Sequence, residues 1–161
     1  MSKIIVLHHS ASDIDTTVER INRWHEDRGF TSSKLGYYVG YHFVITADGN
    51  ITKTRSEWEI GCHCVPNENK VGVCLTGNFN NYNPTKAQLA SLSRLLDNLK
   101  LVLYVDDNAI LPHKYFKATE CPGNNLEKWL RLYKQVGLLT RLVGEAKIKV
   151  MRLLNKKETY K

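Results

Sequence analysis

Leu111-Pro112-His113-Lys114-Tyr115-Phe116-Lys117-Ala118-Thr119-Glu120-Cys121-Pro122-Gly123 is the stretch on which the reading of this chain turns. His113 and Cys121 stand eight residues apart between two prolines. Imidazole nitrogen and thiolate sulfur are donors that Zn²⁺ prefers. Two donors do not hold a catalytic metal, so a third must come from elsewhere. The apolar run Ile4-Ile5-Val6-Leu7 ends in His8-His9-Ser10-Ala11 and reads as a buried strand that delivers a histidine. Two histidines and one cysteine leave one tetrahedral position open to water, the arrangement of a catalytic zinc. Side chains alternate along a strand, so only one of His8 and His9 can face such a site, and spacing does not say which.

Outward from these two stretches, strands and helices alternate. Thr16 and Glu19 read as a capping box, with Val18, Ile21 and Trp24 at three-residue spacing. A helix is expected over 16–28, stopped by Gly29, with His25 as a packed or solvent-facing residue. Residues 30–40 form a loop. Residues 41–46 and 51–54 read as strands joined by the turn Ala47-Asp48-Gly49-Asn50. An irregular segment over 58–66 precedes a buried strand over 71–76 and a polar loop over 77–82. Pro84, Thr85 and Gln88 open a helix over 86–103, with Leu89, Leu92, Leu96, Leu99 and Leu103 on one face. A short strand over 109–111 delivers His113. A last helix places Leu126, Trp129, Leu130 and Tyr133 inward and ends at Gly137. This alternation predicts an α/β fold. One domain is expected over 1–137, with an extension over 138–161.

Five motifs run in order along the chain: His8-His9-Ser10-Ala11, Gly40-Tyr41-His42-Phe43, Gly61-Cys62-His63, Val71 to Phe79, and His113 to Cys121-Pro122-Gly123. The series resembles the zinc-dependent N-acetylmuramoyl-L-alanine amidases, that is, phage lysozyme-type endolysins and the peptidoglycan-recognition proteins, over roughly residues 3 to 135. The resemblance implies a mixed central sheet flanked by helices. It implies one zinc per chain, held by His8, His113 and Cys121, and hydrolysis of the amide joining N-acetylmuramic acid to L-alanine in peptidoglycan. It implies that Tyr41 lies beside the metal, to orient water or stabilise an oxyanion. Thr119 stands where many phage members carry lysine and peptidoglycan-recognition amidases often carry threonine. It can hydrogen-bond but brings no charge; Lys114 and Lys117 are the nearby cations. His63 and Asn69 match positions of the family's substrate groove. Two rival functions exist among relatives: recognition of peptidoglycan without cleavage, in members that commonly lack the cysteine, and binding of a phage polymerase.

Composition sets the outer bounds. With 42% hydrophobic and 24% charged residues the chain has the balance of an ordinary soluble globular protein, and no run of 18 apolar residues offers a spanning helix. The net charge of +7 favours anionic partners: cell-wall polymers, lipopolysaccharide, membrane surfaces or nucleic acid. Of these, nucleic acid is the one not expected; a monomer is expected. Cys62, His63, Cys64 and Cys74 have spacings too short, and one member too deep in a strand, for a second zinc site. There is no signal-peptide pattern, so synthesis in the cytoplasm is expected, in the host cytoplasm if phage-encoded. The resemblance then implies that a separate membrane-permeabilising protein gives access to the wall. In 138–161, Leu139, Leu142, Val143, Ala146, Val150 and Leu153 recur at helical spacing. Seven basic and two acidic residues give that segment a net +5 of the chain's +7. An amphipathic helix is expected there, packed on the domain or laid on an anionic envelope surface.

Overall fold

The computed structural model describes residues 3–140. Five strands form one mixed sheet: β1 (Ile4–His9), β2 (Phe43–Ile45), β3 (Ile51–Lys53), β4 (Lys70–Leu75) and β5 (Ile110–Pro112), in the order β3-β2-β4-β1-β5. β2 and β3 pair antiparallel; β2–β4, β4–β1 and β1–β5 are parallel. Parallel strands covered on both faces demand continuous apolar runs. β4 is buried at every residue and β1 at all but its first.

The described residues hold three α-helices: α1 (Val18–Asp27), α2 (Lys86–Leu103) and α3, which covers 124–140. Val18 and Ile21 of α1 pack with Val39 and Val44, and Trp24, Tyr37 and Tyr41 close over them. α2 begins with the expected capping box between Thr85 and Gln88. Gln88 is fully buried, and its Nε2 donates to Thr76 O at 2.9 Å and Ile45 O at 3.3 Å, tying the helix start to the ends of β4 and β2. Gly49 turns the β2–β3 hairpin at φ +86°, where a Cβ would come within 2.9 Å of Ala87 O. Contacts divide the chain after Lys128. In the part beyond it, Trp129 stacks on Tyr133 with ring centroids 5.3 Å apart.

Several local expectations are corrected. Thr17, not Thr16, caps α1, its hydroxyl accepting from Arg20 N at 3.3 Å; Thr16 is buried in the preceding turn. β2 starts at Phe43, so Tyr41 lies outside the strand. The backbone at Gly40 is taken by Cys62, whose N–H donates to Gly40 O at 2.9 Å. On α2 the buried stripe includes Leu95 and excludes Leu89, because Gln88 occupies the first inward position. Gly137 does not end α3: the helix continues through it with no left-handed residue there. A glycine costs a helix about 1 kcal/mol relative to alanine, too little to stop one alone. The extension expected over 138–161 lies outside the described residues from 141 onward.

Two buried histidines hold the segment before β2, one to α1 and one to β4. Gly40 N donates to His25 Nδ1 at 3.0 Å, and Gly72 N to His42 Nδ1 at 2.9 Å. Burial lowers both rings to about 4. An unfolded histidine titrates near ~6.5, so on acidification the unfolded chain takes up protons before the folded one does. The contribution of these groups is therefore full above pH ~6.5 and is lost as pH falls towards ~4. The thermal midpoint should drop across that window in a pH series of melting curves. His25→Asn, which keeps an acceptor near Nδ1 but cannot protonate, should melt with a shallower pH dependence; an unchanged slope would show that His25 does not contribute.

Candidate active site

The register of the sheet builds the site. In the parallel pairs His8 lies opposite Cys74, and Cys74 opposite Val44, so all three share the face covered by α1. Leu7 pairs with Pro112; one residue further, the same register sets His113 beside His8. Their ring centroids are 4.4 Å apart. His113 opens a single 3-10 turn, His113–Tyr115, and the chain then loops back: Lys114 N donates to Cys121 O at 2.9 Å. Gly123 (φ +88°) presses this loop onto Phe79, where a Cβ would meet Phe79 C at 2.6 Å. Asn125 N adds a hydrogen bond to Phe79 O at 3.0 Å.

One donor atom each from His8, His113 and Cys121 lies within 4.8 Å of the others, and no second such cluster occurs among the described residues. His8 Nδ1 is 3.6 Å from Cys121 Sγ. Burial holds the His8 ring well below the ordinary imidazole value, with the neighbouring His63 and His113 adding to it. Burial and then Lys117 lower His113. Both rings thus keep the neutral form that a metal requires. Burial pushes the Cys121 thiol up to about 12, against the effect of the His9 N–H, which donates to the sulfur at 3.4 Å. A divalent cation supplies the charge that would offset this and deprotonate the sulfur. Two neutral imidazoles and one thiol in a buried cluster fit Zn²⁺, with three protein donors rather than a closed set of four.

Tyr41 stands over the cluster, its ring centroid 5.1 Å from that of His8. Burial, together with the Cys74 and Cys121 thiols, raises its phenol well above the usual range. Beside it opens a cleft of about 270 Å³ bordered by Ser10, Ser12, Trp24, His25 and Arg28. The Thr119 hydroxyl accepts from Cys121 N at 3.3 Å. Lys114 is ion-paired with Glu127. His63 is buried, and its Nδ1 lies 3.0 Å from His8 Nε2, so the ring meets a histidine of the cluster and not solvent. Asn69 is not brought to the cluster: it precedes β4 in a left-handed turn (φ 58°), at the opposite end of the strand from Cys74. His9 turns to the other face, where its Nδ1 accepts from Phe79 N at 3.2 Å. The role of its backbone N–H on the Cys121 sulfur had no sequence signal, because every residue carries that group.

Fold and site together define a hydrolase built on a mixed sheet with flanking helices, its polar cluster at the carboxyl ends of parallel strands. The chain belongs to the N-acetylmuramoyl-L-alanine amidase family, whose model matches residues 2–124. It is similar to the endolysin of Escherichia phage T7, at 32% identity over 78% of this chain and 83% of that protein. It is also similar to peptidoglycan-recognition protein SC2 of Drosophila melanogaster, at 29% identity over 80% and 72%. Among solved structures, the N-acetylmuramoyl-L-alanine amidase LysC from Clostridium intestinale URNW superposes with a TM-score of 0.69 at 33% identity, covering 80% of this chain and 82% of that one.

A thiol that titrates near 12 must lose its proton to bind a metal. Adding Zn²⁺ to metal-free protein at pH 7.5 should release about one proton per chain, measured by calorimetry in buffers of different ionisation enthalpy. Cys121→Ser should remove that release and most of the affinity; full zinc binding by the serine variant would exclude Cys121 as a ligand.

Proposed function

We propose that the protein is a zinc-dependent N-acetylmuramoyl-L-alanine amidase of the endolysin kind. It hydrolyses the amide between the lactyl group of N-acetylmuramic acid and L-alanine in bacterial peptidoglycan, releasing peptide from glycan. The observation that carries this reading is the convergence of His8, His113 and Cys121 within 4.8 Å under Tyr41. The named activities of the relatives support it. Presence of the cysteine with both histidines favours turnover over recognition alone.

A bound Zn²⁺ supplies Lewis acidity towards the carbonyl and a lowered pKa for water. The chain's own residues supply the remainder. His8 and His113 offer lone pairs because burial keeps them uncharged. Tyr41 retains its proton at neutral pH because its phenol is raised. It is therefore an O–H donor for the oxygen on which negative charge develops as the amide carbon becomes tetrahedral. Thr119 anchors the Cys121 backbone through its oxygen and keeps one O–H to donate, without adding charge. The cleft bordered by α1 and Tyr41 opens beside that phenol. The enzyme acts on the wall as a monomer.

Digestion of purified peptidoglycan should generate new L-alanine amino termini by mass spectrometry, cease on chelation and return with Zn²⁺; no new amino termini would overturn the activity. Tyr41→Phe should keep zinc and fold yet lose roughly 10²–10³ in turnover, the scale of one oxyanion donor. Wild-type turnover in that variant would make the hydroxyl structural.

The charge of the 138–161 segment supports a second role, attachment to an anionic envelope. Its removal should spare hydrolysis of soluble muropeptides and weaken sedimentation with anionic vesicles, most strongly at low salt. Equal sedimentation with and without the segment would exclude that role.

A further inference from the structure

The two ring nitrogens of His8 have different neighbours. Nδ1 faces Cys121 Sγ at 3.6 Å, and Nε2 faces His63 Nδ1 at 3.0 Å. A neutral imidazole has a single N–H. If His8 Nδ1 offers its lone pair to the cluster, the proton must sit on Nε2. His8 Nε2–H then donates to His63 Nδ1, which must be unprotonated, and the proton of His63 falls on its own Nε2. The contacts of His8 with Cys121 Sγ and His63 Nδ1 thus specify one tautomer for each ring.

His63 is held in place from every side. Its N–H and that of Cys64 both donate to Asn67 Oδ1 at 2.9 Å. Its ring fills a slot left by two glycines: a Cβ on Gly61 would come within 2.5 Å of the ring and one on Gly72 within 2.7 Å. His42 meets it edge-on with centroids 5.5 Å apart, and His42 is itself fixed between Gly72 N and Glu59 O. The outer nitrogen of His63, Nε2, closes no hydrogen bond of good geometry. The Lys70 backbone acts on this ring, but a buried polar atom so weakly satisfied still costs free energy that an apolar side chain in the same slot would not. Packing therefore does not explain a histidine here; its inner nitrogen does.

We infer that His63 is a positioning residue, whose Nδ1 accepts the Nε2 proton of His8 and so fixes the ring rotation and tautomer that turn His8 Nδ1 towards the metal. The inference rests on the proposed zinc site and assigns His63 to the support of a ligand instead of the substrate groove. Outer partners of this kind are worth roughly 10- to 100-fold in metal affinity.

The test compares wild type, His63→Leu and His63→Asn by competition for Zn²⁺ against a chromogenic chelator. Leucine fills the slot without an acceptor; asparagine places Oδ1 near the Nδ1 position. Affinity should fall roughly 10- to 100-fold in the leucine variant and recover most of that loss in the asparagine variant. Undiminished affinity in His63→Leu, or equal losses in both variants, overturns the positioning role. Failure of the wild type to bind zinc overturns the proposed function, and this inference with it. Nitrogen-15 spectra of the wild-type imidazoles give a readout that needs no substitution. They should show His8 protonated at Nε2; protonation at Nδ1 overturns the inference even if a variant fails to fold.

Discussion

The site depends on the pairing of β1 with its two parallel neighbours. β1 is the only strand bonded to both β4 and β5, and its register sets His8 level with Cys74 on one side and one step from His113 on the other. Side chains alternate strictly along a strand, so a slip of one residue would turn His8 to the opposite face and bring His9 in its place. The apolar pattern resists such a slip, since Ile5, Val6 and Leu7 are all completely buried, packed on both faces of the sheet. The hydrophobic register thus decides which face of the sheet carries the chemistry.

The protein places six histidines in or beside this core, and burial imposes a common condition on them. A buried imidazole must remain neutral, and it gains from each partner its nitrogens find. His25 and His42 meet the condition by accepting backbone N–H groups from glycines, which closes the loops over the sheet. His9 does the same for Phe79 and so anchors the segment against which the Cys121 loop rests. His8 and His63 satisfy one another. The residues that serve the architecture and those that serve the chemistry are the same type under the same constraint, distinguished only by which partner lies across from each nitrogen.

Cys121 shows the opposite economy. Its environment raises the thiol far above neutrality, yet the loop from His113, the Thr119 hydroxyl and the glycine contact at Phe79 all fix its position. A sulfur so held is poor as a free nucleophile, because its thiolate is disfavoured. It is suited to meet a cation, whose charge reverses that preference.

What the sequence determined by itself was local or periodic. The cap at Thr85 and Gln88 and the bounds of α2 were legible because capping is a contact between residues three apart. The alternation of apolar runs with helical patterns gave the α/β class, and the motif order gave the family. Tertiary structure decided what distant partners impose. The contact of Gly40 with Cys62 removed Tyr41 from β2, and the slot between Gly61 and Gly72 put His63 behind His8. Asn69 was left at the far end of β4 by the strand's length, although it is only six residues from His63 in sequence. A motif records which residue types occur together, whereas facing direction, burial and the partner of each nitrogen arise only when strands far apart in sequence are brought into register.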